Sequence, residues 1–270
     1  MISPSDKVRL TSFLRSAQRL LVFTGAGIST GSGIPDFRGP SGVWRRRRPV
    51  DLPTFLASEE GRIEYWEYKL ESWTSLRDAR PTATHFAAVA LERAGRIEAV
   101  VTQNIDGLHQ LAGTTAAKLV EIHGTARRVD CLDCGWQTEP QPVFATFART
   151  RRPPRCPECG GWLKPATISF GQNLNEEDMA RAEAAAEACD AVIALGSTLS
   201  VYPAAGFPLA AAVRGVPYAI VNRGVTEHDA HPRVTLRLEG DVAEIFPAAV
   251  EAVVGFYRAL PSEGTTPGTS

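Results

Sequence analysis

Three groups of residues in this chain have types and spacings that could do chemistry. The first is a pair of cysteine pairs, Cys131-x2-Cys134 and, after twenty-one residues, Cys156-x2-Cys159. That is the spacing of a tetrahedral structural zinc site built from thiolates. Four protein ligands leave no open coordination position, so the ion would act in folding and not as a Lewis acid. A redox CxxC pair and a nucleic-acid-binding ribbon are the rival readings, but no thioredoxin-like context surrounds either pair and the charge between them is mixed. The fifth cysteine, Cys189, falls in an Ala-rich helical segment.

The second group is Thr24 to Gly39, TGAGISTGSGIPDFRG, five glycines in sixteen residues directly behind the apolar run Leu20 to Phe23. A buried strand running into such a segment points to a phosphate-binding turn, because glycine lets backbone N–H groups approach an anion closely. The spacing differs from the ordinary dinucleotide fingerprint: Gly25 and Gly27 give GxG, but Thr30 stands where a third glycine belongs. Asp36, Phe37 and Arg38 behind the glycines could hold, cover and neutralise a ligand. The third group sits at strand ends. Ile97 to Thr102 delivers Gln103, Asn104, Ile105, Asp106 and His109, Lys118 to Ile122 delivers His123, and Ala191 to Leu195 delivers Gly196, Ser197 and Thr198.

The elements that must position these groups alternate. An amphipathic helix with Leu10, Phe13, Leu14 and Ala17 on one face precedes the first strand. Residues 54 to 78 form a helical, aromatic-rich stretch. A helix over HFAAVALERAG ends at Gly95. Thr167 to Phe170 is expected as a short strand, and Asn175 caps a helix running to about Ala188, with Asp178 placed to complete a capping box. Pro203 to Val213 is expected to be helical, Tyr218 to Val221 and Val234 to Leu238 to be strands, and Val242 to Leu260 to be a closing helix. Polar residues at successive strand ends of a βα alternation indicate a doubly wound parallel sheet, an α/β (Rossmann-like) fold. The cysteine module and the 40 to 80 region interrupt it as two insertions, expected to join into a smaller zinc-containing lobe with a ligand cleft between. The expected division is 1–39, 81–125 and 164–260 for the sheet domain, 40–80 and 126–163 for the small lobe, and 261–270 as a disordered tail.

The whole-chain properties exclude several classes. The 270 residues are 44% hydrophobic and 22% charged with net charge −1, so no global field recruits nucleic acid or an anionic membrane. The run Arg45 to Arg48 is read as a solvated surface. No apolar run is long enough to span a bilayer and MISPSDKVRL carries no signal-peptide core, so a cytoplasmic location is expected.

With these residues in view, the chain resembles the sirtuin family of NAD-dependent protein lysine deacylases over about residues 8 to 255. The matching motifs are GAGIS…SGIPDFRG at Gly25 to Gly39, TQNIDGLH at Thr102 to His109, HG at His123, the four cysteines, GS at Gly196, VYPAA at Val201 and IVN at Ile220. The resemblance implies that NAD lies with its pyrophosphate on Gly25, Ala26 and Gly27, with Gly196, Ser197, Asn222 and Val242 on the adenosine side. Asp36, Phe37 and Arg38 would form a cover, with Phe37 shielding the reacting ribose and Arg38 near the phosphates. Gln103, Asn104, Ile105 and Asp106 would surround the nicotinamide ribose and carboxamide. The implied reaction begins when the acyl-lysine oxygen attacks the ribose C1′ and expels nicotinamide. His123 then acts as general base, so that lysine and 2′-O-acyl-ADP-ribose are the products; an ordinary imidazole suits this near neutral pH. The implied partners are acylated proteins or peptides, entering as an added strand along Ile168, Phe170 and Gly171. A monomer is expected.

Two departures stand out. The family's common PDVVFFGE reads PATISFGQ from Pro165, losing acids at Ala166 and Gln172 and an apolar residue at Ser169. Relatives that remove succinyl or malonyl groups resemble one another in a Tyr-x-x-Arg pair; Trp66 and Lys69 stand at the corresponding positions, and lysine lacks the bidentate guanidinium. Neutral acyl groups, acetyl first, are therefore expected. An NAD glycohydrolase or mono-ADP-ribosyltransferase would use the same grip on NAD without the peptide channel. A non-catalytic sensing module would lack Asn104, Asp106 or His123, and all three are present.

Overall fold

A computed structural model describes residues 3–35 and 48–255. Asp36, Phe37 and Arg38, the Arg45 to Arg47 part of the arginine run, residues 256–260 of the expected closing helix and the expected tail lie outside the described residues.

The main sheet has six parallel strands: β1 (Leu20–Thr24), β2 (Ile97–Thr102), β3 (Leu119–Glu121), β7 (Ala191–Leu195), β8 (Tyr218–Asn222) and β9 (Val234–Glu239). Their spatial order is β3-β2-β1-β7-β8-β9. All five residues of β1 are buried, as parallel strands covered on both faces require. The alternation divides them: Leu20 and Val22 face a core with helices α1 (Pro4–Ser16), α4 (Ala83–Arg93) and α9 (Val242–Val254), while Leu21 and Phe23 face α7 (Glu176–Ala188) and α8 (Gly206–Val213). Chain progression reverses between β1 and β7, and at such a switch point the crevice beyond the strand ends is open to a ligand.

A second core joins the two insertions. Phe55 of α2 (Leu52–Ala57) and Tyr65, Trp66 and Trp73 of α3 (Glu59–Asp78) pack with Val129 and Cys131 of β4 (Gly124–Cys131), Phe144 and Phe147 of α6 (Pro140–Thr150), Cys156 and Leu163. Trp73 stacks on Phe144 with ring centroids 4.6 Å apart, and Trp66 meets the same ring edge-on at 5.2 Å. The small antiparallel sheet orders β5 (Gln137–Thr138), β4 and β6 (Leu163–Thr167).

Several expectations shift. The strand placed at Thr167 to Phe170 is instead β6, which ends at Thr167 because its ladder with β4 closes at Gly124↔Thr167. The chain then turns at Ser169 to Gln172, held by Gln172 N–H on the Ser169 carbonyl at 3.0 Å. The aromatic stretch is two helices, split at Ser58, which caps α3 by accepting from Gly61 N–H at 2.9 Å. Helix α8 starts at Gly206, three residues later than expected. Asn175 caps α7, but the Asp178 carboxylate pairs with Arg181 at 3.7 Å, so the capping box is half made.

Candidate active site

The glycines of β1's exit loop serve close packing between two turns. Gly25 N–H donates to the Leu195 carbonyl at 3.0 Å and Gly27 N–H to the Gly196 carbonyl at 2.8 Å, which zips the β1 turn to the β7 turn across the switch point. A Cβ on Gly25 or Gly27 would lie 2.7 Å from Gly196 backbone atoms, so any side chain would pry the two turns apart. Neither the Ala26 nor the Ser197 amide has an acceptor among the described residues, and both residues line the crevice. Such donors, presented where two strands end, suit an anion.

That crevice is a cleft of about 990 Å³. Of the described residues singled out from the sequence, Gly25, Ala26, Gly27, Gln103, Asn104, Ile105, His123, Ile168, Phe170, Gly171, Gly196, Ser197, Asn222 and Val242 all line it. Asp106 does not. It lies behind the wall, 4% exposed, accepting from Ser29 Oγ at 2.7 Å and from Leu108 N–H at 2.9 Å. Asn104 Nδ2 donates to the same Ser29 Oγ at 3.2 Å and to the Gly25 carbonyl at 3.1 Å. Asp106, Ser29 and Asn104 thus form a buried relay that ties the β2 exit to the glycine turn. Burial pushes the Asp106 carboxyl above its ordinary range, and the Leu108 and Ser29 bonds partly offset this.

His123 follows β3. Its Nδ1 lies 3.1 Å from the Gln103 carbonyl; a carbonyl only accepts, so Nδ1 carries the proton and Nε2 is the basic nitrogen. Gln103 is itself pinned, donating from Nε2 to Ser197 Oγ at 2.7 Å. The His123 carbonyl accepts from Ile168 N–H at 2.8 Å, so one residue joins the two sheets at the cleft. Gly124 must follow it: its φ is +70° and a Cβ there would stand 2.1 Å from the Ala166 carbonyl oxygen.

The four cysteine sulfurs lie within 4.8 Å of one another, with Cys131 and Cys159 3.5 Å apart and Cys134 and Cys156 3.7 Å apart. Tetrahedral zinc with Zn–S bonds of about 2.3 Å sets sulfurs about 3.8 Å apart, so the set fits zinc. Asp133 and Gly161 N–H groups each approach a ligand sulfur at 3.4 Å.

Of the pair at Trp66 and Lys69, only Lys69 reaches the cleft. Trp66 is fully buried in the small-lobe core. Tyr65, one turn from Lys69, lines the cleft instead. Two residues that hold the site carried little signal in the sequence. Ser29 stands inside the GAGIS motif, where the glycines carry the stronger pattern. Arg127 supports the turn carrying Asp106 by donating from Nε to the Asp106 carbonyl at 2.8 Å and from Nη2 to the Leu76 carbonyl at 2.7 Å.

The Sir2 family pattern matches residues 25–203, from the glycine turn through the cysteine module to the loop after β7. The chain belongs to the Sir2 family. An NAD-dependent protein deacetylase of Rhodopseudomonas palustris (strain ATCC BAA-98 / CGA009) is 42% identical over 232 residues, covering 85% of this chain and 92% of that protein. A solved Sir2 variant holding a deacetylated p53 peptide and 3'-O-acetyl ADP-ribose superposes with a TM-score of 0.84 at 33% identity, covering 93% of this chain and 99% of that one. A Sir2 complex with p53 peptide and NAD+ gives 0.81 at 34% identity, covering 90% and 96%. The expected fold class, a doubly wound sheet with a small four-cysteine lobe, is the one observed.

Proposed function

We propose that this chain is an NAD-dependent protein lysine deacetylase that transfers the acyl group of a protein lysine to ADP-ribose and releases nicotinamide and 2′-O-acyl-ADP-ribose. The observation that carries the reading is the shared wall: the His123 imidazole, oriented by Gln103, opens onto one cleft with the glycine turn and with Ile168 to Gly171. Sir2 relatives that hold NAD+, p53 peptide and acetyl ADP-ribose support it.

When bound, NAD supplies the glycosidic carbon that accepts the acyl oxygen. The Ala26 and Ser197 amides would hold its phosphates, with Gly25, Gly27 and Gly196 allowing the close approach. Asn222 and Val242 would line the adenosine side. Asn104 would orient a ribose hydroxyl, Ile105 would pack beside it, and Asp106 would hold Asn104 in register through Ser29. His123 Nε2 would take the ribose proton, its Nδ1–H remaining on the Gln103 carbonyl. Asp36, Phe37 and Arg38 are assigned to covering the reacting ribose and phosphates, and Ile168, Phe170 and Gly171 to the acyl-lysine and its extended peptide. Zinc on Cys131, Cys134, Cys156 and Cys159 would fix the small lobe and take no part in the chemistry.

We divide the chain into a sheet domain of 1–39, 81–125 and 164–260 and a small lobe of 40–80 and 126–163. The lobe core built from both insertions supports this division. We place the enzyme in the cytoplasm as a monomer; thiols arranged for metal support a reducing compartment. Among the described residues no helix is long and apolar enough to cross a membrane.

His123→Ala tests the reading. Acetyl-lysine peptide turnover is lost while NAD binding by calorimetry persists; full turnover by this variant overturns the assignment.

A further inference from the structure

The chain has only four lysines, against an arginine-rich remainder. Lys7 is exposed and Lys118 is tied to the Glu98 carbonyl at 3.0 Å. The other two, Lys69 and Lys164, meet at one threonine. Lys69 Nζ donates to Thr167 Oγ1 at 3.0 Å, and Lys164 Nζ donates to the Thr167 carbonyl and to the Pro165 carbonyl at 3.2 Å. The two amines stand 5.4 and 5.7 Å from the Tyr65 ring.

Neither amine has a carboxylate partner among the described residues. Asp130 lies opposite Lys164 in the β4–β6 ladder, but its carboxylate is engaged by Arg128 at 2.6 and 2.9 Å. Tyr65 completes the group, its hydroxyl 3.5 Å from the same Thr167 Oγ1, and Tyr68 and Glu71 of α3 line the cleft with Lys69. Two ammonium groups sharing an apolar, unpaired site disfavour full protonation of both. A lysine made neutral by desolvation beside a second cation is an activated nucleophile. The geometry separates the two roles: Lys69 lines the cleft together with Tyr65 and Thr167, whereas Lys164 is 2% exposed and stands outside its wall.

We propose that Lys69 is a covalent modification site, acylated at Nζ by acyl thioesters that enter the cleft. The inference rests on the reading of the cleft as one that accepts acyl chains. The Nζ lone pair adds to the thioester carbonyl carbon, the C–N bond forms and the C–S bond breaks. The leaving thiolate takes up the proton that nitrogen loses, and nothing is oxidised or reduced. The product is a neutral amide whose acyl chain occupies the cleft beside Thr167, so acyl-thioester load would close the enzyme to its peptide. Burial alone lowers Lys69 to about 8, and burial together with the Lys69 charge lowers Lys164 to about 7. At pH 7.5 about a quarter of an amine with that Lys69 value is neutral, against about one in a thousand for an ordinary lysine.

The test incubates the full chain, without NAD, with the acetyl thioester of N-acetylcysteamine and follows each lysine by peptide mass mapping. Lys69 is expected to acetylate about tenfold faster than Lys7 at pH 7.5, reflecting its larger neutral fraction and lower basicity together. Lys69→Arg removes that product. Lys164→Met leaves it in place, because burial and not the neighbouring charge lowers Lys69, and prior acetylation of Lys69 raises the KM for acetyl-lysine peptide. Labelling of Lys69 no faster than Lys7, in both the native chain and Lys164→Met, overturns the proposal. Because labelling is read by mass without turnover, its failure is distinct from a failure of deacetylation, which the peptide assay reports separately.

Discussion

Ser29→Ala probes the buried relay, and its cost can be worked from the structure. The hydroxyl donates to Asp106 Oδ2 at 2.7 Å and accepts from Asn104 Nδ2 at 3.2 Å, all three residues being 6% exposed or less. Removing it strands a carboxylate oxygen where water does not replace it. A hydrogen bond to a charged group contributes about 1.5–3 kcal/mol, so kcat/KM should fall about 10- to 150-fold if the relay holds Asn104 for the reaction. The same deletion has a pH signature. Burial already raises the Asp106 carboxyl, and Ser29 is one of the bonds pulling it down; without that bond it rises further. A carboxyl raised on folding makes the native state hold protons that the unfolded chain releases, so stability falls as pH rises from the unfolded value through the folded one. The stability lost by Ser29→Ala should therefore be larger at pH 7.5 than at pH 4.5. Steady-state kinetics with varied NAD and urea unfolding at both pH values check this. Kinetics within twofold of the unaltered enzyme, or a loss larger at pH 4.5, refutes the relay.

Three further outcomes follow from the packing. Gly124→Ala needs a Cβ at φ +70° against the Ala166 carbonyl; it should displace His123 from Ile168 and reduce turnover at least about tenfold while zinc content, read by atomic absorption, stays near one per chain. Chelation of the metal should unfold the small lobe, because structural zinc contributes about 10–16 kcal/mol and Cys131 and Cys156 are part of the core that holds Trp66; hydrogen exchange should rise in residues 50–78 and 124–167 before it rises in β1. Trp66→Ala should cost about 3–5 kcal/mol by urea denaturation, the amount for emptying a fully buried aromatic site.

Much of this was legible because chemistry and periodicity coincide at the strand ends. The parallel strands are short, apolar and immediately followed by polar or glycine-rich turns, so β2, β7 and the residues they deliver could be placed from spacing. The cysteine pairs declare their ligand set by spacing alone. The less legible parts depend on long-range pairing. β4 and β6 carry no clear alternation, with arginines at 127 and 128 and a lysine and proline at 164 and 165, and only the ladder between them makes them strands. The strand end at Thr167 is set by Gly124 across the sheet, which no local pattern reveals. Asp106 follows lining residues in the sequence, but it is buried behind the wall and bonds Ser29, seventy-seven residues earlier in the chain. Trp66 and Lys69 share a helix and a spacing, but the small-lobe core claims the indole, leaving Lys69 and Tyr65 at the cleft.

On the proposed function, bond breaking at NAD is coupled to an acyl-lysine held in the same cleft. Nicotinamide release from NAD, followed by chromatography with and without an acetyl-lysine peptide, tests it most directly. Release is expected to depend on the peptide and to match, mole for mole, the deacetylated peptide and O-acetyl-ADP-ribose formed. Equal release in the absence of peptide, with free ADP-ribose as product, would contradict it and identify a glycohydrolase.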